Sequence, residues 1–141
     1  MNYHIFTDGA CKGNPGPAAI GVACFQGPAP DLSGFKQNPE AVFTISRMVG
    51  RRTNNEAEYL SLIEALTRLQ EMKIDEATIH MDSELVIRQM LGVYKVKNPR
   101  LQPLFLEARK LTQGKNYNFL HVTRDKNQIA DYLANAAYSR G

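Results

Sequence analysis

The sequence predicts an α/β fold: a five-stranded mixed sheet, a three-strand antiparallel meander plus two further strands, flanked by helices. Three observations lead there. Three strand-like segments with short links precede the first long stretch of helical periodicity. After that stretch, strand-like and helix-like segments alternate. The 141 residues are enough for one core and one domain, taken as residues 1–141.

Met1 to Thr7 reads as a strand, with Tyr3, Ile5 and Thr7 on one face and His4, Phe6 and Asp8 on the other. Gly9 to Pro17 gathers three glycines and two prolines and is expected to be a turn-rich loop. Ala18 to Phe25 is a second strand. Gly27 to Glu40, opening with Gly27, Pro28 and Pro30, reads as a long hairpin loop, and Val42 to Met48 as the third strand. A helix is expected from about Asn55 to Met72, where Tyr59, Leu62, Ile63, Leu66 and Leu69 fall at helical spacing behind a Thr53 or Asn54 cap. Ala77 to Met81 is a fourth strand with Asp82 at its end. Ser83 caps a second helix that stops near Gly92, and Pro99 marks the start of a third that runs to about Thr112. Tyr117 to Val122 is the fifth strand. Asn127 to Tyr138 is the last helix, with Ile129, Leu133, Ala136 and Ala137 in register. The order βββαβααβα implies a meander followed by strands joined through helical crossovers.

Composition removes several function classes. The longest apolar stretch, Ala18 to Phe25, is eight residues and is interrupted by Gly21, far too short to span a bilayer. Cys11 and Cys24 are the only cysteines, too few for a disulfide framework or a four-ligand zinc site, which points to a reducing, cytoplasmic setting. The net charge is +3, but with four carboxylates set aside for a metal the remainder is 17 basic against 10 acidic residues, or +7. A basic surface around an acidic hole suits a polyanion that is cut or coordinated there.

Asp8 and Asp82 each stand at the carboxyl end of a strand, where open α/β sheets place ligands. Asp131 falls in the first turn of the last helix, a position that a helix dipole also favours. Glu56 and Glu58 open the first long helix, and at 100° per residue the apolar arc lies midway between them, so periodicity leaves both open. Carboxylates converging without histidine or cysteine select hard cations such as magnesium or manganese. A pair of these ions can clamp a phosphodiester, and without them the carboxylates would repel one another and take raised pKa values. The loop from Gly9 to Pro17 puts backbone N–H groups beside Asp8 but lacks the Lys-Ser/Thr ending of a nucleotide P-loop. Thr53-Asn54-Asn55 reads either as a helix cap or as side-chain donors aimed at phosphate and sugar.

Four blocks of the chain resemble the type 1 ribonuclease H family. They are Thr7-Asp8-Gly9-Ala10-Cys11-Lys12-Gly13-Asn14-Pro15-Gly16-Pro17, Thr53-Asn54-Asn55-Glu56-Ala57-Glu58-Tyr59, Met81-Asp82-Ser83, and Asn127 to Ala134 with Ala130-Asp131. The resemblance covers essentially the whole chain in the family's order and implies a ribonuclease H-like sheet. It carries the family's acidic quartet onto Asp8, Glu58, Asp82 and Asp131, choosing Glu58 over Glu56 and leaving Glu56 a surface residue. It implies an endonuclease, dependent on two Mg2+ ions with Mn2+ as the alternative, that cuts the RNA strand of an RNA–DNA hybrid and leaves a 5′-phosphate and a 3′-hydroxyl. Asp8 would bridge both ions, Glu58 and Asp82 would hold one, and Asp131 the other. Gly9, Cys11, Asn14, Thr53, Asn54 and Asn55 match positions that line the substrate. The expected partner is the hybrid, recognised by shape and 2′-hydroxyls, with no membrane, no obligate protein partner and a monomeric state.

Two departures stand out against that family. Many members carry a basic helix-and-loop insertion after the third block, whereas here Gly92-Val93-Tyr94-Lys95-Val96-Lys97-Asn98-Pro99 joins the helices directly. Lys95, Lys97 and Arg100 are left to supply part of the grip, so binding is expected to be weaker and more salt-sensitive. The family's proton-shuttling histidine matches His121 by spacing, but the loop is short. Arg124 is then the expected auxiliary group, holding phosphate or helping product leave, with His121 as the alternative. Two other classes compete: a hybrid-binding module without catalysis, disfavoured by the complete quartet, and a resolvase or exonuclease of the same broad fold, disfavoured by the Thr-Asn-Asn block.

Overall fold

The computed structural model describes residues 2–28 and 40–140. The strands are β1 (Tyr3–Cys11), β2 (Gly16–Gln26), β3 (Phe43–Arg52), β4 (Glu76–Met81) and β5 (Asn116–His121), and the helices α1 (Asn54–Glu71), α2 (Glu84–Met90), α3 (Gln102–Thr112) and α4 (Gln128–Arg140). The sheet order is β3-β2-β1-β4-β5. β1 pairs antiparallel with β2, and β2 with β3, while β1–β4 and β4–β5 are parallel. The expected mixed sheet and element order are therefore present.

Alternation along β1 and β2 divides the core in two. Ile5, Ile20, Val22 and Cys24 pack with Tyr59, Leu62, Leu66 and Leu69 of α1 and with Ile79 and Met81. On the other face Phe6, Ala23 and Phe25 meet Ala130, with Ile129 and Leu133 of α4 packed against them. α1 begins at an N-cap Thr53 whose hydroxyl accepts the Glu56 amide at 3.2 Å, while the Glu56 carboxylate accepts the Thr53 amide at 2.9 Å. This reciprocal capping box gives Glu56, half-buried at the helix start, a part in fixing where α1 begins. Among the described residues no helix is long and apolar enough to cross a membrane.

The expected boundaries shift at β1 and α3, and β3 runs on to Arg52 rather than ending at Met48. β1 continues through Asp8 to Cys11, with Gly9, Ala10 and Cys11 paired to Ile20, Ala19 and Ala18. The expected loop Gly9–Pro17 therefore shrinks to residues 12–15. Its glycines signal a loop, yet Gly9 lies in a strand because α1 crosses too close for any side chain. α3 starts at Gln102 rather than at Pro99, with Pro103 in its first turn. The expected loop Gly27–Glu40 falls mostly on residues 29–39, outside the described residues.

Candidate active site

The parallel register of β1 and β4 pairs Thr7 with Met81. Asp8 and Asp82, each one residue further on, therefore emerge side by side from strands about 4.8 Å apart. Glu58 reaches them from α1 because Gly9 lets the helix approach. A Cβ on Gly9 would lie 2.5 Å from the Glu58 amide nitrogen and 2.5 Å from the Ala57 carbonyl carbon. The Gly9 N–H donates to Glu58 Oε1 at 2.6 Å. Asp131 arrives from the opposite face on α4, which lies against Gly21, the cross-strand partner of Asp8. A Cβ there would stand 2.1 Å from the Ala130 carbonyl oxygen.

One carboxylate oxygen from each of Asp8, Glu58 and Asp82 lies within 4.8 Å of the others. Asp8 is 6% exposed and sits at the centre of the group. Burial, followed by the charges of Glu58, Asp82 and Asp131 and a hydrogen bond with Asp131, pushes its carboxyl up to about 10. Glu58 rises to about 8, mainly through burial and the Asp82 charge, while the Gly9 amide, Asp8 and Arg124 oppose the rise. The bare cluster thus resists carrying its full negative charge. A set of oxygen donors held this close matches what a hard dication requires, and positive charge at this point would reverse the pKa shifts. The residues present therefore fit a divalent metal.

Around the four acids the expected auxiliary and substrate residues take varied positions. His121 is the last residue of β5, with its backbone paired to Met81. Arg124 lies in a short 3-10 turn, Arg124–Lys126, and is exposed. It lines an open cleft of about 710 Å3 with Asp125, Gln128, Asp131, Tyr132 and Asn135. Asn54 and Asn55 are exposed at the start of α1, next to the Thr53 cap. Asn14 Oδ1 accepts the Asn54 amide at 3.0 Å, which ties the β1–β2 turn to α1. Cys11 Sγ points at the Arg52 carbonyl oxygen, 3.1 Å away, and also donates to the Gly13 carbonyl oxygen.

Three residues that sequence reasoning did not single out shape the site. Gly21 admits α4. Asn135, one helical turn beyond Asp131, donates to Asp131 Oδ1 at 3.1 Å. Asn127, fully buried, donates to the Thr7 carbonyl oxygen at 3.0 Å and to Asp82 Oδ2 at 3.4 Å. The i, i+4 spacing of Asn135 was a usable signal, whereas Gly21 and Asn127 act only through neighbours across the fold.

Comparison with known proteins agrees with this geometry. The family described as "Reverse transcriptase-like" matches residues 6–137. Ribonuclease HI of Halobacterium salinarum is 38% identical over 135 residues, which are 95% of this chain and 63% of that protein. Ribonuclease HI of Pasteurella multocida is 32% identical, with 94% and 86% covered. A bifunctional protein of Mycobacterium tuberculosis is 38% identical over 97% of this chain, and the chain spans only 35% of that protein's length. Among solved structures, RNase H1 of Halobacterium salinarum superposes with a TM-score of 0.88 at 34% identity, both chains fully covered. A ribonuclease H1 solved in complex with an RNA/DNA hybrid gives 0.83 at 41% identity, covering 98% of this chain and 97% of that one. Shared sequence along nearly the whole chain, the same sheet and an acidic cluster at its strand ends lead to one conclusion: the chain belongs to the type 1 ribonuclease H family.

Proposed function

We propose that residues 1–141 form a single catalytic domain that hydrolyses the RNA strand of RNA–DNA hybrids with the help of two divalent ions. The observation that carries this reading is the convergence of Asp8, Glu58 and Asp82 on one point, with Asp131 near enough to add its charge to Asp8. A purely structural cluster would not gather acids whose charges oppose one another around a buried Asp8. Asp8, central to the group, would be shared between the ions. Glu58 and Asp82 would hold one with it, and Asp131 would contribute to the other. Mg2+ is the proposed metal and Mn2+ the substitute; bound there, such ions polarise the scissile phosphate and activate water.

The chain's own groups orient the reactants. The Gly9 amide fixes one oxygen of Glu58. Asn14, Thr53, Asn54 and Asn55 form a ridge at the start of α1 that offers donors to sugar and phosphate. Arg124 holds phosphate beside Asp131 and assists product departure rather than acting as a base. Water oxygen bonds to phosphorus as the P–O3′ bond breaks, and a proton from that water ends on the departing oxygen, leaving a 5′-phosphate and a 3′-hydroxyl. We infer that the domain acts as a monomer in the cytoplasm, where free Cys11 and Cys24 stay reduced. The test is a substrate panel of hybrid, single-stranded RNA and double-stranded DNA with Mg2+, Mn2+ or chelator. Cutting restricted to the RNA of the hybrid supports the proposal. Tight hybrid binding without cutting in either metal refutes it in favour of a binding module.

A further inference from the structure

We propose that Asn127 is a positioning residue that sets the orientation of the Asp82 carboxylate and ties together the three elements carrying Asp8, Asp82 and Asp131. The inference rests on the reading of Asp82 as a cation ligand. Asn127 is 0% exposed and ends the short turn between β5 and α4. Its carbonyl oxygen accepts the Asp131 amide at 3.1 Å, so its backbone fixes the first turn of α4. Its Nδ2 reaches the Thr7 carbonyl oxygen, next to Asp8, and the Asp82 carboxylate. One short residue thereby joins β1, the end of β4 and the start of α4.

The kind of donor matters as much as its position. Glu58 is held by the Gly9 amide, Asp82 by the Asn127 amide and Asp131 by the Asn135 amide. All three donors are uncharged. A neutral N–H orients a carboxylate without competing with a dication for its charge, as a lysine or arginine in the same place would. Packing alone does not account for Asn127, because among the described residues neither its buried Oδ1 nor Thr7 Oγ1 has a hydrogen-bond partner. An unpaired buried amide oxygen weakens a fold. The residue retains that cost while its Nδ2 serves the acid cluster.

The test measures divalent-cation binding to the substrate-free protein by calorimetry, together with kcat and KM on hybrid. Asn127→Ala and the isosteric Asn127→Asp are compared with wild type. Both are expected to lose cation affinity, kcat or both by about 10- to 100-fold, the range for groups that orient metal ligands, with KM for hybrid little changed. Asn127→Asp places an acceptor against the Thr7 carbonyl and Asp82, so it should gain nothing from matching the original shape. Variants with lowered Tm but wild-type cation affinity and kcat would overturn the proposal, since a structural role predicts that pattern. If neither variant folds, the wild-type side-chain amide decides. Its two N–H resonances should be protected from solvent exchange and displaced by Mg2+, and unprotected, unmoved resonances refute the proposal. If wild type itself binds no divalent cation, the reading of the acid cluster fails, and with it this inference. If wild type binds and Asn127→Ala binds equally well with unaltered kcat, only the inference fails.

Discussion

Replacing Asp8 by asparagine should make the metal-free protein more stable while removing its activity. In the fold the Asp8 carboxyl is pushed from 3.8 to about 10 by burial and by the charges of Glu58, Asp82 and Asp131. An acid raised in this way binds its proton in the folded state over a range where the unfolded chain has lost it. Stability is therefore unaffected below pH 3.8 and falls progressively as pH rises from there towards 10. At pH 7 about three pKa units have been traversed, and at 1.36 kcal/mol per unit the upper bound on the loss is about 4 kcal/mol. Asparagine has nearly the same shape and no proton to lose, so Asp8→Asn should recover about 2–4 kcal/mol. With an unfolding entropy near 2.1 cal/mol/K per residue, that corresponds to a rise in Tm of about 7–13 °C for 141 residues. The assay is thermal melting with chelator at pH 7 and again near pH 4. The gain should be large at pH 7 and nearly vanish at pH 4, where both proteins carry a neutral group. Added Mg2+ should then stabilise wild type more than the variant. Equal Tm values at pH 7 in chelator would refute the claim that repulsion and burial strain the bare cluster.

Other consequences follow from the packing and charge of the fold. Gly9→Ala forces α1 away from β1, since a Cβ would meet the Ala57 and Glu58 backbone at 2.5 Å; kcat on hybrid should fall about 100-fold, and an activity within threefold of wild type would contradict it. Gly21→Ala drives a methyl to 2.1 Å from the Ala130 carbonyl oxygen and should destabilise the protein by about 2–3 kcal/mol, read by denaturant unfolding. His80 is stacked on Phe6 and hydrogen-bonded to His4, and burial, with the His4 charge second, lowers it to about 4. Its stabilising neutral form is fully present above pH 6.5 and lost as pH falls through 4, so wild type should lose stability relative to His80→Leu across that window. Lys95, Lys97 and Arg100 are exposed. Replacing all three with alanine should weaken hybrid binding and flatten the plot of log affinity against log salt by close to one unit for each phosphate no longer neutralised; an unchanged slope would show that the connector does not grip the substrate.

Much of this architecture is legible in the sequence because periodicity and the fold agree locally. The 3.6-residue repeat from Tyr59 to Leu69 marks α1 within a residue or two, and a short apolar run followed by a cap places Asp82 at the end of β4. The β1–β2 turn is not legible in the same way, because glycine signals a loop by its backbone freedom, whereas Gly9 and Gly21 are present for lack of a Cβ where helices cross strands. That requirement comes from residues 48 to 113 positions away, which no local window contains. The same applies within the site. Strand ends and the motif blocks point to Asp8, Glu58, Asp82 and Asp131, but periodicity does not separate Glu56 from Glu58, since both open the helix. The structure gives them distinct places: Glu56 closes the capping box and Glu58 turns to Gly9. Asn127 opens the fourth motif block, but periodicity gives no sign of its role, since its side chain acts on residues 45 and 120 positions away.

The most direct test of the central claim is single-turnover cleavage of a hybrid with an end-labelled RNA strand, in Mg2+, by wild type and by Asp8→Asn. Wild type should cut the RNA strand to 5′-phosphate and 3′-hydroxyl products only when the metal is present, and folded Asp8→Asn should leave the strand intact. Cleavage that persists in chelator, or an Asp8→Asn protein that cuts at a rate near wild type, would contradict it.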